Sequence, residues 1–354
     1  MTQPTISRRA VLAGSGALAA SSVWNTHVLS AAPPTSTVTP ALIEAARKEG
    51  NVVFYTSIDL PVAERIAKAF EAKYSGVKVR VERTGAERVF QRIGQEYSSK
   101  LYKVDSVSSS DAAHFIVWKR DGILEPYVPE DVAGFPVEHK DPDGNYATFR
   151  SWVCTIGYNT NLVKAEDAPK SYADLLEPKW TGKIVKAHPS YSGTIMTATY
   201  QMSRDLGWSY FEKLAKQKVM QVQSSADPPK KLALGERAVM ADGNEYNMFI
   251  EKDKGTPVEI VYATEGSPLI VGPIAIFKNA PNPNAARLWQ NFMLSAEAQQ
   301  LIIDTGGLRS VHPGVKEKPG RKPFGEVKKM KDDPAAVEKM SEEIKTRYAK
   351  LFGV

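Results

Sequence analysis

Five times along this chain an apolar segment ends in a short run of hydroxyl, amide and carboxylate residues that opens the next segment. Thr56-Ser57-Ile58-Asp59 follows residues 52–55, Ser108-Ser109-Ser110-Asp111 follows 104–107, and Ser190-Tyr191-Ser192-Gly193-Thr194 follows 184–187. Ser224-Ser225-Ala226-Asp227 follows 219–223, and Asp242-Gly243-Asn244-Glu245-Tyr246 follows 238–241. Residues of these types are the preferred caps of helix N-termini, which is all that a single such turn need mean. A helix N-terminus also offers unpaired N–H groups and a partial positive charge, both suited to an anion. In open α/β sheets, ligands lie outside the carboxyl ends of the strands, where such turns occur. Five of them in one chain point to a polar cleft for a small anion or polar molecule.

Other chemistries lack their residues. There is no GxxxxGK[ST] phosphate loop and no HExxH. The histidines beyond the first thirty residues (His114, His139, His188 and His312) form no i, i+4 pair. Ser192-Gly193 does not complete a GxSxG elbow, because position 190 is serine. The single cysteine, Cys154, excludes an intramolecular disulfide and any cysteine-cluster metal site, and its apolar surroundings predict a buried thiol. The basic stretch from Lys316 to Lys331 has little aromatic interleaving, so it reads as a solvated tail and not as a nucleic-acid surface.

The elements that must position the polar turns can be read from periodicity. Residues 41–49 predict a helix stopped at Gly50, and Val52 to Tyr55 a short strand. Pro61 suits the first turn of a helix whose Val62, Ile66, Ala69 and Phe70 share one face. Val77, Val79 and Val81 alternate with charged residues, as a strand does. Strand and helix segments keep alternating as far as residue 254, which predicts α/β architecture with mostly parallel sheets flanked by helices. Val337, Met340, Ile344, Tyr348 and Leu351 follow helical spacing and predict a terminal amphipathic helix docked on a domain.

With 354 residues the chain has room for two cores at roughly 100–200 residues each, yet no linker separates them. The expectation is therefore that the chain crosses between lobes along extended strands near 147–156 and 262–268. Residues 1–32 contain no acid and pass from Arg8-Arg9 through an apolar run to small residues, the pattern of a twin-arginine export signal. That segment places the remainder in the periplasm and reduces the formal net charge from +6 to +4.

Several motifs in order carry a family resemblance. They are Val53-Phe54-Tyr55-Thr56-Ser57, Asp121 to Tyr127, Ile156-Gly157-Tyr158-Asn159, Ser171 to Leu175 with Pro178 to Ile184, Tyr191 to Thr194, Leu234-Gly235-Glu236, Pro281 to Ala286 and Gln299 to Gly307. As a set the sequence resembles a periplasmic solute-binding protein of an ABC importer, in the branch of ferric-ion-binding proteins and their phosphorylated-sugar and phosphonate relatives. The resemblance implies the two-lobed periplasmic-binding-protein fold, joined by crossing hinge strands. It divides the chain into 37–148 plus 266–312 and 149–265 plus 313–354, the latter carrying the C-terminal helix. It also implies a monomer that hands its solute to an inner-membrane ABC permease, with no enzymatic activity, no resident cofactor and no nucleic-acid partner.

Ferric relatives hold iron with two adjacent tyrosines, a histidine and a glutamate, and an accompanying anion in a Ser-Gly turn. Here the tyrosine pair falls at Glu245-Tyr246, the histidine at Asp59 and the glutamate near Ser110 or Asp111, while Ser192-Gly193-Thr194 keeps the anion turn. The expected contacts to an anion are Ser57, Asp59, Ser109, Ser110, Arg150, Ser192, Gly193, Thr194, Asn244 and Tyr246, with Arg150 or Arg309 balancing charge. Tyr246, Glu245, Asp59 and Asp111 are the oxygen donors left for Fe3+ if that is the cargo. A periplasmic hydrolase and a sensory binding module are the competing readings.

Overall fold

All five segments read as strand, polar turn and helix are strands running into helices in the computed structural model, which describes residues 32–354. The export-signal expectation lies outside the described residues. The first half contains strands β1 (Asn51–Thr56), β2 (Lys78–Arg83), β3 (Ser106–Ser108) and β4 (Leu124–Glu125), with helices α1 (Pro40–Glu49), α2 (Leu60–Lys73), α3 (Ala86–Ser98) and α4 (Ala113–Arg120). After the long β5 (Ala147–Asn159) come β6 (Ile184–Ala187), α5 (Gly193–Asp205), α6 (Trp208–Ala215), β7 (Met220–Val222), α7 (Asp227–Ala233), β8 (Val239–Asn244), α8 (Glu245–Asp253) and β9 (Val258–Val261). A second long strand, β10 (Ser267–Phe277), leads to α9 (Pro283–Leu294), α10 (Ala296–Gly306), β11 (Lys329–Met330) and α11 (Pro334–Phe352). Among the described residues, no helix is long and apolar enough to cross a membrane.

The strands form two parallel trios, β2–β1–β3 and β8–β6–β7, tied together by β10 and β5. β10 and β5 are antiparallel partners from Leu269 opposite Val153 to Ile274 opposite Ala147. Past that shared stretch, β10 runs on to pair with β3 and β4, and β5 runs on to pair with β8 and β9. The first expected crossing coincides with β5. The second is displaced: β10 begins where the expected 262–268 segment ends.

Each trio is covered by apolar helix faces. Phe54, Phe70, Trp289 and Phe292 interlock in edge-to-face contacts beneath the first trio, and Tyr55, Val107, Phe115, Trp118 and Phe277 fill its other side. Ile184, Phe211, Val239, Tyr172 and Trp180 make the corresponding core of the second. Every residue of β5 is buried, as a central strand covered on both faces requires. Cys154 lies in that strand as the buried thiol expected, and burial pushes its pKa well up.

Two sequence expectations change. The stretch 316–331 is not a solvated tail, because Lys318 pairs with Asp253 at 2.6 Å and Arg321 lies 4.0 Å above the Phe249 ring. Lys328 donates to the Thr264 carbonyl at 2.9 Å, so cations that alternate with acids in sequence are consumed by partners distant along the chain. The terminal helix α11 does bury Val337, Ile344 and Tyr348, but it packs on α4 as well as on α5 and α6.

Candidate functional site

At the carboxyl ends of the two trios their loops face one another across a polar cavity of about 270 Å3. From the first trio come Ser57 after β1, Arg83-Thr84-Gly85 after β2 with Ala86 and Arg88 of α3, and Ser110 after β3. From the second come Tyr191 and Ser192 before α5, and Gln223, Ser224, Ser225 and Asp227 after β7. The N-termini of α3 and α5, both thirteen-residue helices, therefore open on the same space. Both supply the unpaired N–H groups of a first helical turn.

Behind Ser57 stands Arg150. It comes from the buried crossing strand β5 and is 1% exposed. Its Nη2 donates to Ser57 Oγ at 3.2 Å, its Nε has no partner, and among the described residues it has no carboxylate in ion-pair contact. Burial lowers the pKa of this guanidinium. The side chain crosses β10 at Gly272, where an added Cβ would sit 3.0 Å from both Cγ and Nε of Arg150. A side chain at that position would crowd the guanidinium stem. Ser57 Oγ also accepts the Ser110 N–H at 2.9 Å. With both lone pairs of the hydroxyl engaged, its own proton is left for an acceptor in the cavity.

The cavity is bridged at its sides. Arg88 Nη2 reaches Gln223 Oε1 at 3.3 Å, and Asn247 Nδ2 donates to Asp59 Oδ2 at 2.7 Å. Gly193 is pressed against Asp111: a Cβ on Gly193 would lie 2.5 Å from the Asp111 Cβ. Asp59 also lies 3.8 Å from Arg83 and borders an adjoining space of about 610 Å3 rather than the polar cavity itself.

The structure thus brings together only part of the residue set expected from sequence. Ser57, Ser110 and Ser192 line the cavity, with Arg150 one hydrogen bond behind. Ser109 is buried and its hydroxyl serves the Asp111 N–H and His114 Nδ1. Thr194 is buried in the first turn of α5. Asn244 is buried as well; it accepts from Trp152 Nε1 at 3.1 Å and donates to Asn247 Oδ1 at 2.7 Å. Its Nδ2 lies 3.2 Å from the Tyr246 hydroxyl. Burial, with the charge of Asp59, pushes the Tyr246 phenol far above its ordinary pKa.

Arg309, the other cation expected to face the cleft, does not face it. It is held by Glu245 at 2.7 and 3.2 Å and by Glu317 at 2.8 Å, and Glu245 also accepts from the Tyr262 hydroxyl. Sequence reasoning missed Arg83, Thr84, Gly85, Arg88 and Gln223. A signal for the first four was present. The strand at Val77, Val79 and Val81 also ends in a polar turn, Arg83-Thr84-Gly85, ahead of a helix.

A family model described as bacterial extracellular solute-binding protein matches residues 107–323. A probable ABC transporter periplasmic-binding protein of Sinorhizobium fredii is 22% identical over 240 residues, 65% of this chain and 66% of its own length. Among solved structures, the periplasmic binding protein AfuA of Actinobacillus pleuropneumoniae with fructose-6-phosphate bound is 25% identical, with a TM-score of 0.79 over 86% of this chain and 99% of that one. Iron-bound HitA of Pseudomonas aeruginosa is 23% identical, with a TM-score of 0.74 over 85% of this chain and 99% of its own.

Proposed function

Since the chain belongs to the bacterial extracellular solute-binding proteins, we propose that it captures a small anionic solute for import. The solute is an organic acid, a phosphonate or a phosphorylated compound. It binds between two lobes, residues 37–148 with 266–312 and residues 149–265 with 313–354, and an inner-membrane ABC permease receives it. The protein acts in the periplasm as a monomeric carrier and not as a catalyst, in keeping with the similarity to a periplasmic-binding protein of an ABC transporter. β5 and β10 are the strands about which the lobes swing.

One observation carries the anionic assignment. A fully buried guanidinium with no carboxylate partner among the described residues stands directly behind a cavity lined by Arg83, Arg88 and two helix N-termini. A charge taken out of water is costly unless something pairs with it, so the site favours an anion within reach of Ser57 and Arg150. Binding then selects the conformation in which both loop sets touch the solute, and the population shifts toward closure.

The similarity to iron-bound HitA supports ferric iron as a second reading. Against it, Glu245, one of the oxygen donors that iron would need, is held by Arg309 at 2.7 Å. Titration calorimetry with inorganic phosphate, citrate, a simple alkylphosphonate and a ferric salt separates the two. Saturable binding of at least one anion is expected. Failure of every anion, together with a ferric complex that Tyr246→Phe abolishes, would establish the iron reading instead.

A further inference from the structure

Beside the cavity lies a set of buried charges that an anion does not touch. Glu87 follows Ala86 in the first turn of α3, Asp111 follows Ser110, and His114 is in the first turn of α4. His114 Nε2 is 3.1 Å from Glu87 Oε1 and 3.7 Å from Asp111 Oδ2. Its ring stacks on Phe90 at 4.3 Å, and Nδ1 lies 3.3 Å from Ser109 Oγ. The second oxygen of Glu87 accepts from Lys345 Nζ at 3.1 Å, and Lys345 belongs to α11.

Glu87, Asp111, His114 and Lys345 form a chain of acids and bases, and Lys345 also meets Glu342 at 3.0 Å. A divalent cation among Glu87, Asp111 and His114 would stand beside the Lys345 ammonium that Glu87 already pairs, so the three residues read as a salt cluster. Burial opposes the charge on His114, but Asp111 and Glu87 outweigh it and raise its pKa.

Helix α11 is anchored on the second lobe. Tyr348 is buried against His188 and Phe211 and donates to Gln221 Oε1 at 2.9 Å, and Arg347 lies 4.5 Å over the Trp208 ring. The same helix reaches elements of the first lobe, through Lys345 to Glu87 of α3 and through Glu338 to Arg120 of α4 at 2.9 Å. Glu87 sits between Ala86 and Arg88, both of which line the cavity.

We propose that α11 is a clasp across the solute cleft, with Lys345 as a positioning residue that holds the α3 turn in its binding position and favours the closed lobes. The proposal rests on the two-lobed anion-binding reading. Lys345 touches no solute. It acts by lowering the free energy of the one arrangement in which Arg88 and the α3 N–H groups face Ser192.

The test compares the wild type with Lys345→Met, Lys345→Arg and Arg120→Met. Phosphate affinity is measured by calorimetry, and the lobe separation without ligand is measured between spin labels on Lys68→Cys and Lys216→Cys. Lys345→Met should weaken phosphate binding about tenfold, within the usual range for coupling between sites. It should also lengthen the unliganded label distance, while Lys345→Arg restores both and the melting temperature moves little. Arg120→Met should lengthen the distance to a smaller extent. An unchanged distance distribution and unchanged affinity in Lys345→Met would overturn the clasp while leaving the anion site standing. Absence of binding of phosphate, citrate and the alkylphosphonate alike would count against the anion reading, and the ligand-free distances would still decide the clasp.

Discussion

Arg150 is where sequence reading and structure meet most usefully. Its place in an apolar strand was visible in sequence, but nothing in the sequence says that its guanidinium is buried or that it lacks an acid partner among the described residues. Gly272, 122 positions away on β10, could not have been connected with it, because the link is the pairing of β5 with β10. The arrangement makes a specific prediction. Arg150→Met removes a desolvated charge whose Nε is unpartnered, so the ligand-free protein should melt no lower than the wild type. Anion affinity should fall by about 1.5–3 kcal/mol, the worth of a charged hydrogen bond, which is more than tenfold. Calorimetry and thermal melts read the two effects separately, and a large loss of ligand-free stability would show that Arg150 serves the core instead. Arg309 teaches the converse. It seemed equally available in sequence, yet Glu245, 64 positions earlier, already holds it.

At the scale of elements, the strand-to-helix order was legible because hydrophobic period and capping residues are local signals. Which turns face one another was not, since that depends on the order of strands across the sheet. Thus Ser109 and Asn244, which looked like site residues, turn inward as supports, while Arg88 and Gln223 meet across the cavity. The start of α5 shows the consequence. Gly193 lets the helix approach Asp111 so closely that a methyl group would overlap its Cβ. Gly193→Ala should therefore hold the two loop sets apart and weaken anion binding at least tenfold, with the α5 helix intact by circular dichroism. Wild-type affinity in that variant would mean that the contact is dispensable for binding. The approach to α11 supplies a pH prediction. Asp332 lies 3.3 Å from Gln201 Nε2, and burial pushes its carboxyl pKa up to about 7. The folded state thus holds a proton that the unfolded chain releases near pH 4, so the stability gained below that pH is lost as pH rises through about 7. Asp332→Asn should flatten this slope in urea melts recorded between pH 4 and 8, and an unchanged slope would assign it to other groups.

For the molecule as a whole, room for two cores without a linker was enough to expect shared strands, and the aromatic clusters on the two trios supply those cores. The offset of the second crossing follows from what sequence leaves out. Residues 262–266 contain Tyr262, Thr264 and Glu265, whose polar ends find partners off the sheet, and the pairing with β5 begins only at Leu269. Sharing has a thermodynamic consequence. β5 pairs with β8 of the second trio and with β10, which pairs in turn with β3 of the first, and every residue of β5 is buried, so neither core can unfold without disturbing the strands that tie it to the other. Heating should then give one calorimetric transition whose van't Hoff and calorimetric enthalpies agree, despite a length that would permit two. An anion that binds only the folded chain should raise that single transition as a unit, by about 2.7 kcal/mol at a concentration one hundred times its dissociation constant. Two resolved transitions, of which the anion moves only one, would mean that the cores are thermodynamically separate and that the solute is held by a single lobe.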